Sequence, residues 1–144
     1  MNVMIKIITD STCDLPDELL KKYDITVVPL YLRFGMKTFK ENVEISREEF
    51  YNKLALEKEL PTTSQPSPGD FLKVYENIIN KGDVIISLHI SGKLSGTVNS
   101  AQNARIMILD ENKSADITVI DSQSAGPGLG LIVVKAAQMA KEGF

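Results

Sequence analysis

The sequence contains a single cysteine, Cys13, and a single histidine, His89, among 144 residues. One cysteine excludes an internal disulfide and a multi-cysteine zinc cage, and fits a cytoplasmic address. Long apolar runs are also missing. The longest, at residues 84–86 and 129–134, fall far short of the ~20 residues needed to cross a bilayer, and no signal-peptide pattern precedes the first strand. There is no excess of basic residues either: 16 Lys and Arg stand against 19 Asp and Glu, a net charge of -3. That balance offers neither a face for a nucleic-acid backbone nor a polybasic patch for anionic lipid. Internal repeats and low-complexity linkers are absent.

What remains is a balanced composition, 43% hydrophobic and 24% charged, expected of one globular domain with a real core. Apolar runs at residues 3–8, 25–30, 84–90 and 117–120 read as strands, the first as one covered on both faces. Between them, helices are predicted over 16–23, from Ser46 to about residue 56, from Ser67 or Asp70 to Lys81-Gly82, over 97–109 and over 129–141. Asp14 is expected to cap the first of these, with Asp17 and Glu18 complementing its dipole. Ser46 with Glu49 has the capping-box pattern. Residues 31–38, around Gly35, suggest a hairpin or an edge excursion, and Pro29 favours an edge strand. Strands alternating with helices predict an α/β fold: a mainly parallel sheet flanked by helices on both sides, Rossmann-like and doubly wound.

Four polar loops punctuate this pattern: TDST (9–12), TTSQPS (62–67), HISGKLSGT (89–97) and DSQSAGPGLG (121–130). Three of them leave the carboxyl end of a strand, the edge on which ligands bind in open parallel sheets, so they are expected to converge. Their hydroxyls are Ser11, Thr12, Thr62, Thr63, Ser64, Ser91, Ser95, Thr97, Ser122 and Ser124. Neutral donors at helix starts suit a compact anion such as a carboxylate or phosphate. Ser, Thr and Asp are also the preferred helix caps, and Asp14, Ser46 and Ser67 are assigned to that task. Thr63, Ser64 and Ser95 exceed what one cap requires.

Enzymatic patterns are weaker. His89 ends an apolar strand, and no GxSxG elbow accompanies it. GPGLG (126–130) lacks dinucleotide-fingerprint spacing, so its glycines are read as allowing close packing. There is no GxxxxGK[ST] phosphate loop. Asp10, Asp14 and Asp121 do not form a convincing metal site, and Cys13 reads as a small packing residue. No cofactor, metal or catalytic residue is expected.

IITDSTCDLP (7–16), ITVVPLYLRFG (25–35), LPTTSQPSPGDF (60–71), SGKLSGT (91–97) and VIDSQSAGPGLGLIV (119–133) together resemble the DegV family over nearly the whole chain. The resemblance implies a non-enzymatic, bacterial fatty-acid-binding protein similar to the B subunit of fatty acid kinase. It would hold a long-chain acid by its carboxylate and present it to a kinase subunit for phosphorylation. By that resemblance Thr63 and Ser95 contact the carboxylate, with Thr62, Ser64 and Ser91 as further candidates. Family members often carry two serines before the Lys of the third motif, where this chain has Ser91-Gly92. They also have a second domain, so residues 1–144 are expected to be the first domain alone. An apolar face beside the Thr63 and Ser95 loops would then be free for self-association. Two readings compete: a serine-dependent hydrolase or phosphoryl-transfer enzyme at the same loops, and a docking module without ligand.

Overall fold

The computed structural model describes residues 3–144, so residues 1 and 2 of the expected domain lie outside the described residues. Along the chain come β1 (Ile5–Asp10), α1 (Asp17–Tyr23), β2 (Thr26–Val28), β3 (Tyr31–Phe34), β4 (Lys37–Lys40), α2 (Arg47–Leu56) and β5 (Thr62–Ser64). They are followed by α3 (Pro68–Ile79), β6 (Val84–His89), α4 (Thr97–Glu111), β7 (Ile117–Asp121) and α5 (Pro127–Glu142). A four-stranded sheet has the order β2-β1-β6-β7, with every pairing parallel.

Period-two alternation distributes the apolar strand residues between two cores. Ile8, Val28, Ile85 and Ile117 face Phe71, Tyr75 and Ile78 of α3 and Ala101, Ala104 and Ile108 of α4. Ile7 and Leu88, from the same strands, face Leu129, Val133 and Ala137 of α5, with Leu20 and Tyr23 of α1 alongside. Helices therefore cover both faces, as the strand–helix alternation predicts. A smaller antiparallel sheet, β4-β3-β5, follows directly on β2, and Leu32, Phe34, Phe39 and Phe50 form its own core with Ile45 beneath α2. Gly35, at φ +55°, turns the β3–β4 hairpin.

Four local expectations are corrected. β1 starts at Ile5 and continues through Thr9 and Asp10, which the TDST reading placed in a loop. Both are wholly buried and pair with Val27 and Val28 of β2, so a neighbouring strand overrides their turn propensity. Asp14 does not cap α1. It adopts the left-handed conformation at φ 52°, closing the 3-10 turn Ser11–Cys13, and Pro16 in extended conformation begins the helix with no side-chain cap. Thr62–Ser64 is a strand on β3 rather than a loop. α5 begins at Pro127, so most of GPGLG is helical, and a Cβ at Gly130 would stand 2.5 Å from the Cys13 carbonyl oxygen. The close packing expected of helix on sheet is, at Gly130, a packing of helix on the loop after β1.

Candidate functional site

From β2 the chain returns across β1 and places β6 on its other side. The loops after β1 and β6 consequently leave toward opposite faces of the sheet, since α1 packs with α5 and α4 packs with α3. This is the topological switch point of the sheet, where a crevice opens at the carboxyl ends of the strands. A cleft of about 680 Å³ lies here. Thr12 and Asp14 line it from the loop after β1, Leu30 and Glu41 from the small-sheet segment, and Thr63, Ser64 and Gln65 from β5 and the residue after it. Ile90, Leu94, Ser95 and Gly96 follow β6, and Ala125 with Gly126 follows β7. The four polar loops thus meet at one place, as anticipated.

Among the candidate contacts, Thr63, Ser64 and Ser95 line the cleft together. Ser95 Oγ accepts the Thr97 amide at 3.2 Å and lies 2.8 Å from Thr97 Oγ1. When Thr97 donates across that pair, the Ser95 hydrogen is free to point elsewhere. Thr62 and Ser91 are not in the lining. Thr62 is exposed on β5, paired in register with Arg33. Ser91 is buried and builds the turn: its Oγ accepts from the Lys93 amide at 3.3 Å, and its carbonyl accepts from Leu94 and Ser95. Gly92 allows the loop to lie against β7, because a Cβ there would come 2.9 Å from Asp121 Oδ2 and 3.1 Å from Val98. Of the remaining hydroxyls, Ser122 donates to the Ser124 carbonyl at 3.3 Å and Thr97 is wholly buried.

Two helices start at the cleft. α4 follows Gly96 and α5 follows Gly126, and neither first turn receives a side-chain cap from that residue. Gly126 lies at φ 56° and ψ -136°, backbone that only glycine adopts readily. The amide-rich ends of both helices are therefore turned toward the cleft, where they favour negative charge.

The wall that carries Asp14 and Glu41 is acidic and adjoins the start of α5, since a Cβ at Gly126 would lie 3.3 Å from Asp14 Oδ2. Ser11 Oγ accepts the Leu30 amide at 2.9 Å and donates to Glu41 at 2.6 Å, fixing the small-sheet segment to the loop after β1. Burial pushes the Glu41 carboxyl above its ordinary value, with the Ser11 bond opposing in part. Cys13 is buried, and burial raises its thiol to about 11, which leaves it an inert packing residue. His89 is wholly buried, with Nδ1 3.0 Å from Asp10 Oδ2 and Nε2 2.6 Å from Ser87 Oγ. Both nitrogens are engaged inside the core, so the sole histidine is not a base for Ser64 or Ser95.

A family model described as uncharacterised proteins of the DegV family matches residues 4–144. The chain belongs to the DegV family. A DegV domain-containing protein of Clostridium perfringens is 44% identical over 140 residues, covering 97% of this chain and 49% of that protein. One from Caldanaerobacter subterraneus is 45% identical over 139 residues, covering 96% and 48%. The chain thus spans about half the length of the curated relatives it matches. Among solved structures, a stearic-acid-binding protein from Eubacterium ventriosum superposes with a TM-score of 0.93 at 34% identity, over 98% of this chain and 49% of that one. A fatty-acid-binding DegV family protein from Thermus thermophilus superposes with a TM-score of 0.84 at 40% identity, over 99% and 49%. No helix among the described residues is long and apolar enough to cross a membrane.

Sequence reasoning named the hydroxyls and missed Glu41, Gln65 and the role of Asp10. No local pattern marks Glu41, whose partner Ser11 is 30 residues away.

Proposed function

We propose that the cleft holds the carboxylate of a long-chain fatty acid on Thr63 and Ser95, with Ser64 and the amides that open α4 and α5 completing the head-group end. The observation that carries this reading is the convergence of Thr63, Ser64 and Ser95 with two glycine-led helix starts on one crevice, α4 holding only its Thr97 amide on Ser95 and α5 receiving no side-chain cap. The fatty acids named for the Eubacterium and Thermus relatives agree with it. Charge-assisted hydrogen bonds from neutral donors contribute about 1.5–3 kcal/mol each. Each buried methylene of the tail adds about 0.8 kcal/mol, so the chain drives affinity and the hydroxyls set orientation.

In this reading the protein is a carrier and performs no turnover. Neutral donors leave the carboxylate without a bound cation and therefore nucleophilic, which suits presentation to a kinase subunit that transfers a phosphoryl group to it. Exposed Leu60 and Leu94 flank the Thr63 and Ser95 segments and form part of the surface on which a further domain, partner or second copy would close. Native mass spectrometry of the purified protein with added palmitate tests the reading. The expected result is a one-to-one adduct that survives washing and is weakened in Thr63→Ala; a protein that retains no acid at saturating palmitate defeats it.

A further inference from the structure

Below the cleft lies a buried polar chain that the carrier reading leaves without a task. Tyr75, Ser87, His89 and Asp10 are each 0% exposed. The Tyr75 hydroxyl donates to Ser87 Oγ at 2.7 Å, Ser87 Oγ meets His89 Nε2 at 2.6 Å, and His89 Nδ1 meets Asp10 Oδ2 at 3.0 Å. Asp10 also accepts the Ile90 amide at 3.0 Å, the Thr12 amide at 3.0 Å and the Thr12 hydroxyl. An ionised carboxylate only accepts, so Nδ1 carries the hydrogen that faces it. Ser87 then takes the Tyr75 hydrogen and gives its own to Nε2. Every donor and acceptor is used in one direction, ending on a carboxylate.

Apolar residues of similar volume would stabilise a core as well as such a network or better. Its position suggests another role. Thr12 and Ile90, the two residues whose amides Asp10 holds, both line the cleft, and they belong to the two loops that diverge at the switch point. Tyr75 lies on α3, which begins three residues after the Thr62–Ser64 strand ends. Three of the converging segments are thereby tied to one buried chain.

We propose that Asp10 and His89 are positioning residues of the head-group cleft: braced by His89, the Asp10 carboxylate fixes the Thr12 turn and the Ile90 amide, and so sets the separation of the two loops. It also decides polarity. Because the Thr12 amide and hydroxyl both give their hydrogens to Asp10, Thr12 presents lone pairs to the cleft, on the same wall as Asp14 and Glu41. A bound carboxylate is steered away from Thr12, toward the hydroxyls of Thr63 and Ser95. This inference rests on the fatty-acid reading for its ligand and on the hydrogen bonds for its geometry.

The test compares palmitate with hexadecanol, which share a tail and differ in head group, and follows the His89 ring nitrogens and the Thr12 and Ile90 amides by NMR. Palmitate is expected to shift the His89 ring signals although no ligand atom reaches an enclosed side chain, and hexadecanol to leave them in place. His89→Leu should lower the preference for palmitate over hexadecanol about tenfold, with hexadecanol affinity changed less than threefold. His89→Gln, which can both donate and accept, should restore most of it. Ring signals unmoved in the palmitate-saturated protein overturn the proposal, as does a folded His89→Leu protein with undiminished preference. If His89→Leu fails to fold, the ring signals of the unsubstituted protein decide. If the unsubstituted protein binds no palmitate, the carrier reading fails by itself. The bracing is then judged on Thr12 and Ile90 amide signals, which must move in ligand-free His89→Leu and stay near their places in His89→Gln; signals unmoved in His89→Leu overturn it.

Discussion

At the start of α2, Ser46 accepts the Glu49 amide at 3.1 Å while the Glu49 carboxylate accepts the Ser46 amide at 2.7 Å; Ser67 and Asp70 close the same reciprocal box at α3. At the starts of α4 and α5 a glycine stands instead; α4 has one amide, that of Thr97, held by Ser95 Oγ, and α5 receives no side-chain cap. The difference follows location. The boxes belong to helices whose first turns need satisfying by the chain itself, whereas the glycine starts open onto the cleft. Helix ends left uncapped at a surface favour an anion from elsewhere. On the proposed reading, the molecule uses one physical need, the amides of a first turn, for stability in one region and for recognition in another.

The sharpest way to break this contrast is to give α4 a cap of its own. Gly96→Asp would place a carboxylate over the amides that open α4 and displace Gln65, whose Oε1 lies 2.2 Å from the position of a Cβ at residue 96. The expected outcome is loss of palmitate binding by at least about a hundredfold in a protein that remains folded by circular dichroism. Ser95→Ala, which removes a donor and also the acceptor of the Thr97 amide, should weaken palmitate by about tenfold in a calorimetric titration.

On the capped side the effect should fall on stability alone. Ser46→Ala and Ser67→Ala are each expected to cost about 1 kcal/mol in urea unfolding, with palmitate affinity unchanged. The smallest effect belongs to the acidic wall. Glu41 is held above its ordinary value, so folding favours its protonated form. That contribution is present at low pH and is lost as pH rises from the ordinary carboxylate range through the raised value. Glu41→Gln should flatten this slope and tighten palmitate binding a few-fold at pH 7 by removing a like charge from the cleft. Asp10 runs the other way. Burial opposes its ionisation, but the bonds from His89, Thr12 and Ile90 outweigh burial and hold it below its ordinary value. Its contribution is present above the ordinary range and is lost as pH falls through the lowered value, which unfolding midpoints measured against pH would separate from the Glu41 slope.

The capping box of Ser46 and Glu49 was legible in the sequence because its partners are three residues apart; at α3 the sequence offers Ser67 or Asp70 as the cap, and the structure uses both in one box. The strands of the parallel sheet were legible because burial on both faces leaves continuous apolar runs. Legibility fails where pairing partners are distant. Thr62–Ser64 has no strand signature of its own and becomes one only by lying on Tyr31–Arg33. Thr9 and Asp10 look like a turn until β2 is placed beside them. Asp14 has the residue type of a cap, but the preceding 3-10 turn leaves it in the left-handed region, where Pro16 rather than Asp14 stands at the helix start. At the site, the hydroxyl-rich loops announced a donor surface. The Asp10–His89 pair, 79 residues apart, left no local trace.

That same distance bears on how the molecule comes into being. β1 is the centre of the sheet, yet its partner β6 is synthesised only after the entire small sheet, α2 and α3 have emerged, since Ile5 pairs with Val84. Closing so long a loop has an entropic cost that no local contact offsets, which places folding among the slower, non-local class. A nascent chain on the ribosome carries Thr63 well before Ser95, and carries both before the β7 loop that completes the crevice. Between the emergence of Ser95 and that of the loop after β7 both hydroxyls are present without the crevice, so the crevice belongs to the chain only once residues 121–130 have been made.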